Sequence, residues 1–283
     1  MPSPQQKIQA LTKDLSKAAS KLKDEASPKS VHRLRTSVRR IESLVGHFHP
    51  RLGKKQEKTL RELTALRKRA GKVRDLDVQA DLLSAIANGS SASDRMALKQ
   101  TLATRRARRA ERLISAIKKL DLTKDCERLR RLAKTSETTA RAGVVDPLEQ
   151  ARTELTGLAE TFTTSEYLKP KRLHEVRLRI KKIRYLAETG AGSSEQQRFL
   201  QQLKSVQDAT GDWHDWELLT RTAEKQFGNR MNCPLLVEIR SLFSARYSAA
   251  ASAVARLFAS QAGEVRKQPR SAPAAHAAGR RAG

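Results

Sequence analysis

The stretch VHRLRTSVRRIESLV, residues 31–45, spaces Val31, Leu34, Val38, Ile41 and Val45 in steps of three, four, three and four. On a helix that turns 100° per residue, this spacing draws one narrow apolar seam, the mark of a helix in an antiparallel bundle. Pro28 suits the first turn of such a helix, and Gly46 to Gly53 closes it with a short connection. The other faces are unusual, because residues 31–40 carry four arginines and a histidine. His32, Arg35 and Arg39 fall on a stripe turned about 120° from the seam, so it borders the core instead of pointing straight out. From His32 to Arg39 the stripe spans about 10 Å, room for several successive phosphates of an extended chain.

The rest of the chain has the same character. Leu, Ala, Arg, Lys, Glu and Gln dominate and alternating β-branched runs are nearly missing, so the expected class is all-α. Helices are expected near 5–24, 29–47, 54–70, 74–87, 93–119 and 122–134, then near 146–163, 170–189, 194–209, 213–227 and 234–260. A tail after Gly263, rich in Ala, Pro, Gly and Arg without periodicity, reads as disordered.

The 283 residues hold 57 Lys+Arg against 30 Asp+Glu, a net charge of +27, with a pI near 10.8. A surface of that sign gathers polyanions, whether nucleic acid, anionic membrane or another phosphate polymer. No apolar run approaches the roughly 20 residues of a membrane span, and the N-terminal stretch lacks the apolar region of a signal peptide. The expectation is a soluble cytoplasmic protein that does not use the membrane. Cys126 and Cys233, far apart and without a CxxC, read as reduced thiols.

The opening motif occurs twice. HRLRTSVRRIES, from His32, aligns with HEVRLRIKKIRY, from His174, pairing His32 with His174, Arg35 with Arg177, Arg39 with Lys181 and Arg40 with Lys182. The seam repeats in Leu173, Val176, Ile180, Ile183 and Ala187. Downstream, GKVRDLDV from Gly71 matches GDWHDWEL from Gly211, setting Asp75 opposite Asp215 and Asp77 opposite Glu217. Two blocks in one order at nearly one offset imply an internal duplication. The expected units are residues 1–135, residues 136–262 and the tail 263–283.

H-x-x-R-x-x-x-[RK]-[RK] on a helix, then G-x-x-R-D-x-D-V, then a second H-x-x-R-x-x-x-K-K-x-R-Y block, resembles the CHAD family, the conserved histidine α-helical domain. The resemblance covers roughly residues 5–260. It implies two pseudo-symmetric four-helix bundles around a basic central groove or pore that binds inorganic polyphosphate, with no catalytic activity. The implied binding surface contains His32, Arg35, Arg39, Arg40, His174, Arg177, Lys181, Lys182 and Arg184, and Arg74 joins it through the G-x-x-R-D block. His214 stands where the first block has Arg74, a departure from the pattern.

A merely soluble face mixes signs, whereas residues 169–184 carry eight basic side chains against Glu175 alone. A focused anion site accounts for that pattern. Neither His32 nor His174 has a carboxylate or cysteine at ligand spacing on its own helix turn, and nearby arginines repel cations, so no metal is expected. Both read as hydrogen-bond donors to phosphate, stronger when protonated. Arg105, Arg108, Arg109 and Arg112 share one face of another helix and extend the list, since arginine suits bidentate phosphate contacts. Asp75 and Asp77 read as first-turn acids after a helix-ending Gly71, or as partners of an arginine. Trp213 and Trp216 read as packing residues, and His47 and His49 as a loop feature.

No phosphate-binding loop, dinucleotide fingerprint, H-E-x-x-H or G-x-S-x-G occurs. The E-x-E-x-K signature of the triphosphate tunnel enzymes often joined to CHAD domains is missing as well. The sequence therefore points to a non-catalytic polyphosphate binder without a cofactor, located on polyphosphate granules. The alternative is a nucleic-acid backbone binder using the same surface. With only 4% aromatic residues there is little to stack single-stranded bases, which makes nucleic acid the weaker competitor.

Overall fold

The computed structural model describes residues 3–49, 51–86, 92–139, 146–162, 169–190, 192–228, 230 and 233–267. Among them are nine α-helices and no strand: α1 (Pro4–Asp24), α2 (Pro28–Phe48), α3 (Lys54–Ala85), α4 (Ala92–Lys118), α5 (Leu122–Thr139), α6 (Pro147–Thr161), α7 (Pro170–Ala187), α8 (Ser194–Phe227) and α9 (Pro234–Lys267). The all-α expectation holds. None of these helices is long and apolar enough to cross a membrane.

Local chemistry fixes several starts. Ser3 caps α1 in a capping box with Gln6, and Ser27 caps α2 ahead of Pro28. Pro170 opens α7 at the position matching Pro28 in the sequence repeat. Between α7 and α8, Gly192 adopts φ 84°, a conformation that favours glycine. Gln196 locks that turn, accepting from the Gly192 N–H and donating to the Ala187 carbonyl at 2.6 Å.

The expected breaks at Gly71 and near Gly211 do not exist: α3 is one helix of 32 residues and α8 one of 34. A glycine inside a helix costs only about 1 kcal/mol relative to alanine. The buried seam of α3 (Leu63, Leu66, Ala70, Val73, Leu76) runs past Gly71, and that of α8 (Phe199, Leu203, Val206, Trp213, Trp216) runs past Gly211. Burial along an unbroken seam outweighs two glycines. Gly71 is therefore not a helix end, and Asp75 and Asp77 lie in mid-helix. His47 likewise belongs to the last turn of α2, where Nδ1 lies 3.0 Å from Gln150 Oε1. Helix α9 continues to Lys267, beyond the expected end near 260, and residues 268–283 of the predicted tail lie outside the described residues.

This continuity builds the core. One apolar cluster joins α1, α2, the first half of α3, the second half of α4, and α5. A second joins α6, α7, the first half of α8 and the second half of α9, with Trp213 fully buried in it. A third lies between them, where Leu76 and Leu83 of α3, Leu98 and Leu102 of α4, Trp216 and Leu219 of α8, and Leu235 and Ile239 of α9 meet. The long helices thus serve an end cluster with one half and the central cluster with the other. The first end cluster draws on five helices, one more than a four-helix bundle. The expected boundary at residue 135 falls within α5.

Polar pins tie the units. Thr222 Oγ1 donates to Gln79 Oε1 at 2.8 Å between α8 and α3. Arg106 of α4 holds Asp77 at 2.5 Å and donates to the Ala26 carbonyl at 2.7 Å.

A Cβ on Gly211 would meet nothing within 4 Å, and one on Gly71 only Arg35 Nε at 3.9 Å. Gly211→Ala and Gly71→Ala should each stabilise the protein by about 0.5–1 kcal/mol in chemical denaturation. A helix-ending glycine would show the opposite sign.

Candidate functional site

The two matched basic stripes lie on α2 and α7, which pack on each other, while α3 and α8 pack together beside them. Arg35 and Arg39 come from α2, Arg177 and Lys181 from α7. Their fields act on one another: Arg39 and Arg35 each disfavour the charged forms of Arg177 and Lys181. Each stripe borders its apolar seam, so packing the seams brings the stripes together. Arg177 is 8% exposed and its Nε is buried with no partner. Among the described residues, Arg35, Arg39, Arg177 and Lys181 make no ion pair within 4.0 Å. Arg39 instead sits over the Tyr185 ring, 5.4 Å from its centroid.

The outer cations differ. Arg40 and Arg184 both pair with Glu188, at 3.3 and 3.0 Å, Lys182 pairs with Glu154 at 3.6 Å, and Arg74 reaches Asp81 at 4.0 Å. The sequence motif treats inner and outer cations alike; the fold neutralises the outer ones. Arg105, Arg108, Arg109 and Arg112 lie on α4, which packs mainly on α3 and α1. Arg112 lines a separate cleft with Glu62, Arg69 and Lys119. The α4 arginine that reaches a residue of the repeated blocks is Arg106, through Asp77.

Two carboxylates stand behind the inner cations. Burial pushes Asp75 of α3 and Asp215 of α8 above the usual carboxylate range, opposed for Asp75 chiefly by Arg35 and Arg177 and for Asp215 by Arg177 and Lys181. The matched positions in the sequence hinted at them, but the assumed helix breaks placed them at helix starts. Glu217, matched to Asp77, lies 3.1 Å from His214 Nδ1 and 2.7 Å from Arg221.

Burial and then neighbouring cations set the remaining titrations. His32 is lowered by burial and by Arg74, Arg35 and Arg40, and His174 by burial and Arg177. His214 falls to about 3 through burial, Arg177 and His174. Both repeat histidines are therefore neutral donors in the free site near pH 7. Lys181 is lowered to about 7 by burial, then by Arg177, Arg39 and Arg35.

A groove of about 410 Å³ opens along α2 and α7, lined by Arg39, Glu42, Arg67, Lys181, Lys182 and Tyr185 among others, with Leu178 exposed at its edge. Glu42 holds Arg67 at 2.9 Å, so this part of the wall is balanced. The uncompensated charge lies at Arg39 and Lys181, leading to Arg35 and Arg177. Chemically, the arrangement offers guanidinium and ammonium donors to an extended anion.

Comparison with known proteins agrees with the helical architecture. The family model described as CHAD domain matches residues 6–224. The crystal structure of the CHAD domain from the plant Ricinus communis superposes with a TM-score of 0.67 at 15% identity, covering 90% of each chain. PptA from Streptomyces chartreusis superposes at 0.64 with 16% identity, covering 93% of this chain and all of the other. At such identities the likeness is one of fold. No curated protein matches the chain.

The Lys181 shift has a stability consequence. Unfolded, the amine keeps its proton to about 10.5, whereas folded it loses it near 7. Between those values the unfolded state binds more protons, so this contribution to stability rises with pH; below about 7 both states are protonated and the penalty is full. Lys181→Met should stabilise the protein by about 1–3 kcal/mol at pH 6, a gain that vanishes by pH 10, measured by urea denaturation across pH.

Proposed function

The chain belongs to the CHAD family, and on that premise we propose that it is a non-catalytic binder of inorganic polyphosphate, located on polyphosphate granules in the cytoplasm. The observation that carries this reading is the meeting of Arg35, Arg39, Arg177 and Lys181 from two helices without ion-pair partners, with the Arg177 Nε buried and unpartnered. A buried guanidinium without a carboxylate at contact distance is costly unless an anion completes it. A linear polymer of phosphates, one charge or more per unit, fits a row of such donors better than a single compact anion does.

Several features support the choice of polymer. The stripe from His32 to Arg39 is long enough for several phosphates, and the second stripe from His174 to Lys181 meets it at the α2–α7 packing. Neutral His32 and His174 donate hydrogen bonds at its margins. Arg40, Lys182 and Arg184 are held by Glu188 and Glu154 and join the contact set only where polymer displaces those carboxylates. Nucleic acid engages the same cations through its backbone but has bulky bases to place beside a packed helix pair.

Labelled long-chain polyphosphate challenged with duplex DNA, RNA and orthophosphate at physiological salt tests the reading. Long polymer should bind tightly, with steep salt dependence, and orthophosphate poorly. Equal displacement by DNA would favour a nucleic-acid backbone binder.

The two stripes should form one site. Arg35→Gln with Arg39→Gln, and separately Arg177→Gln with Lys181→Gln, should each weaken polyphosphate binding by at least about tenfold. Neutral replacements are chosen because an added acid beside Asp75 and Asp215 would destabilise the fold. Arg280→Gln with Arg281→Gln removes the same formal charge and should change little; an equal loss there would mean that binding follows net charge alone. Circular dichroism verifies unchanged helicity.

Bound polyanion favours the ammonium form of Lys181, so binding takes up a proton above the free value of about 7. Calorimetry at pH 8 in buffers of different ionisation enthalpy should show uptake approaching about one proton per site, lost in Lys181→Met.

A further inference from the structure

We propose that His174, His214 and Glu217 form a site for one divalent metal ion of the zinc class, beside the basic stripe of α7. One ligand atom from each lies within 4.8 Å of the others, and all three side chains are half-buried. The grouping is invisible on any single helix turn around His174, because α7 supplies that histidine and α8 the other two residues. His214 and Glu217 are three residues apart on α8 and share a face.

Two imidazole nitrogens and one carboxylate oxygen are the donor set of open zinc sites, which keep a further position for water or another ligand. In a tetrahedral zinc site, ligand atoms stand about 3.3 Å apart. His214 Nδ1 and Glu217 Oε2 are already 3.1 Å apart, and the His174 and His214 rings lie 5.1 Å apart between centroids. Rotation of the His174 ring closes the remaining gap. The second oxygen of Glu217 accepts from Arg221 Nη2 at 2.7 Å, which orients the carboxylate from outside the ligand set.

The charged surroundings restrict the metal. Arg177, Lys181 and Arg221 face the histidines as cations, and Glu217 as an anion. Asp215 faces Arg177 and Lys181 in turn. Arg221 is held by Glu217, and the two carboxylates balance the two arginines. An ion that gains little from nitrogen donors, such as magnesium or calcium, has no reason to enter against Lys181. The site is complete without any phosphate and does not depend on the polyphosphate reading.

The test is titration of the full chain with cobalt(II) in phosphate-free buffer at pH 8, followed by the visible absorption of the metal. The expected result is a saturable tetrahedral cobalt band at one equivalent, bleached by zinc, untouched by magnesium, and lost in His214→Gln and in Glu217→Gln. Cys126→Ser with Cys233→Ser should keep the band. No saturable band, a band that survives both α8 substitutions, or one lost with the cysteines would each overturn the proposal. His174→Gln serves as a second variant should either α8 change reduce helicity. Polyphosphate binding measured with a chelator present reports on the proposed function separately, so either idea can fail alone.

Discussion

Like charge packed against like charge at the α2–α7 contact is the constraint around which the centre of this molecule is organised. Arg35, Arg39, Arg177 and Lys181 are drawn toward the interior because each borders an apolar seam that must be buried, and the seams carry the cations with them. Placing them near one another has a cost that appears as the lowered Lys181 and Arg177. Asp75 and Asp215 offset part of it from α3 and α8 without closing contact ion pairs. The cations are thereby held in place yet left with donors to spare.

That compromise separates binding charge from solubility charge. Glu188 takes both Arg40 and Arg184, Glu154 takes Lys182, and Glu42 takes Arg67, so the rim of the groove is largely balanced. Exposed pairs of this kind add little stability, but they keep the outer arginines ordered and lower the general field. Among a net charge of +27, a small inner group therefore carries the specificity. Preorganisation of that group by two packed helices reduces the ordering cost of binding an extended polymer.

The third apolar cluster makes the arrangement rigid. Trp216 and Leu219 of α8 meet Leu76 and Leu83 of α3 there, only a turn or so along from Asp215 and Asp75. The carboxylates therefore sit on well-packed backbone. Trp213 anchors the same stretch of α8 in the second cluster. His214, between the two tryptophans, is turned toward His174 and Glu217, where a departure from the first block's arginine opens different chemistry.

By itself, the sequence determined the helical class, the seams and the two basic stripes, because each is a matter of spacing along one helix. The matched histidines, Arg35 with Arg177, Arg39 with Lys181, and Asp75 with Asp215 were all visible as a repeat. Helix continuity at Gly71 and Gly211 was legible too, in the seams that cross them, but local glycine rules point the other way and burial overrides them. Only the tertiary structure decided which cations keep free donors, since Glu188 and Glu154 reach Arg40, Arg184 and Lys182 from other turns and other helices. It alone brought Asp75 and Asp215 behind the stripes and set His214 and Glu217 beside His174. Pairing, burial and the pKa shifts that follow depend on distances between helices, and such distances are fixed by packing that no one-dimensional spacing records.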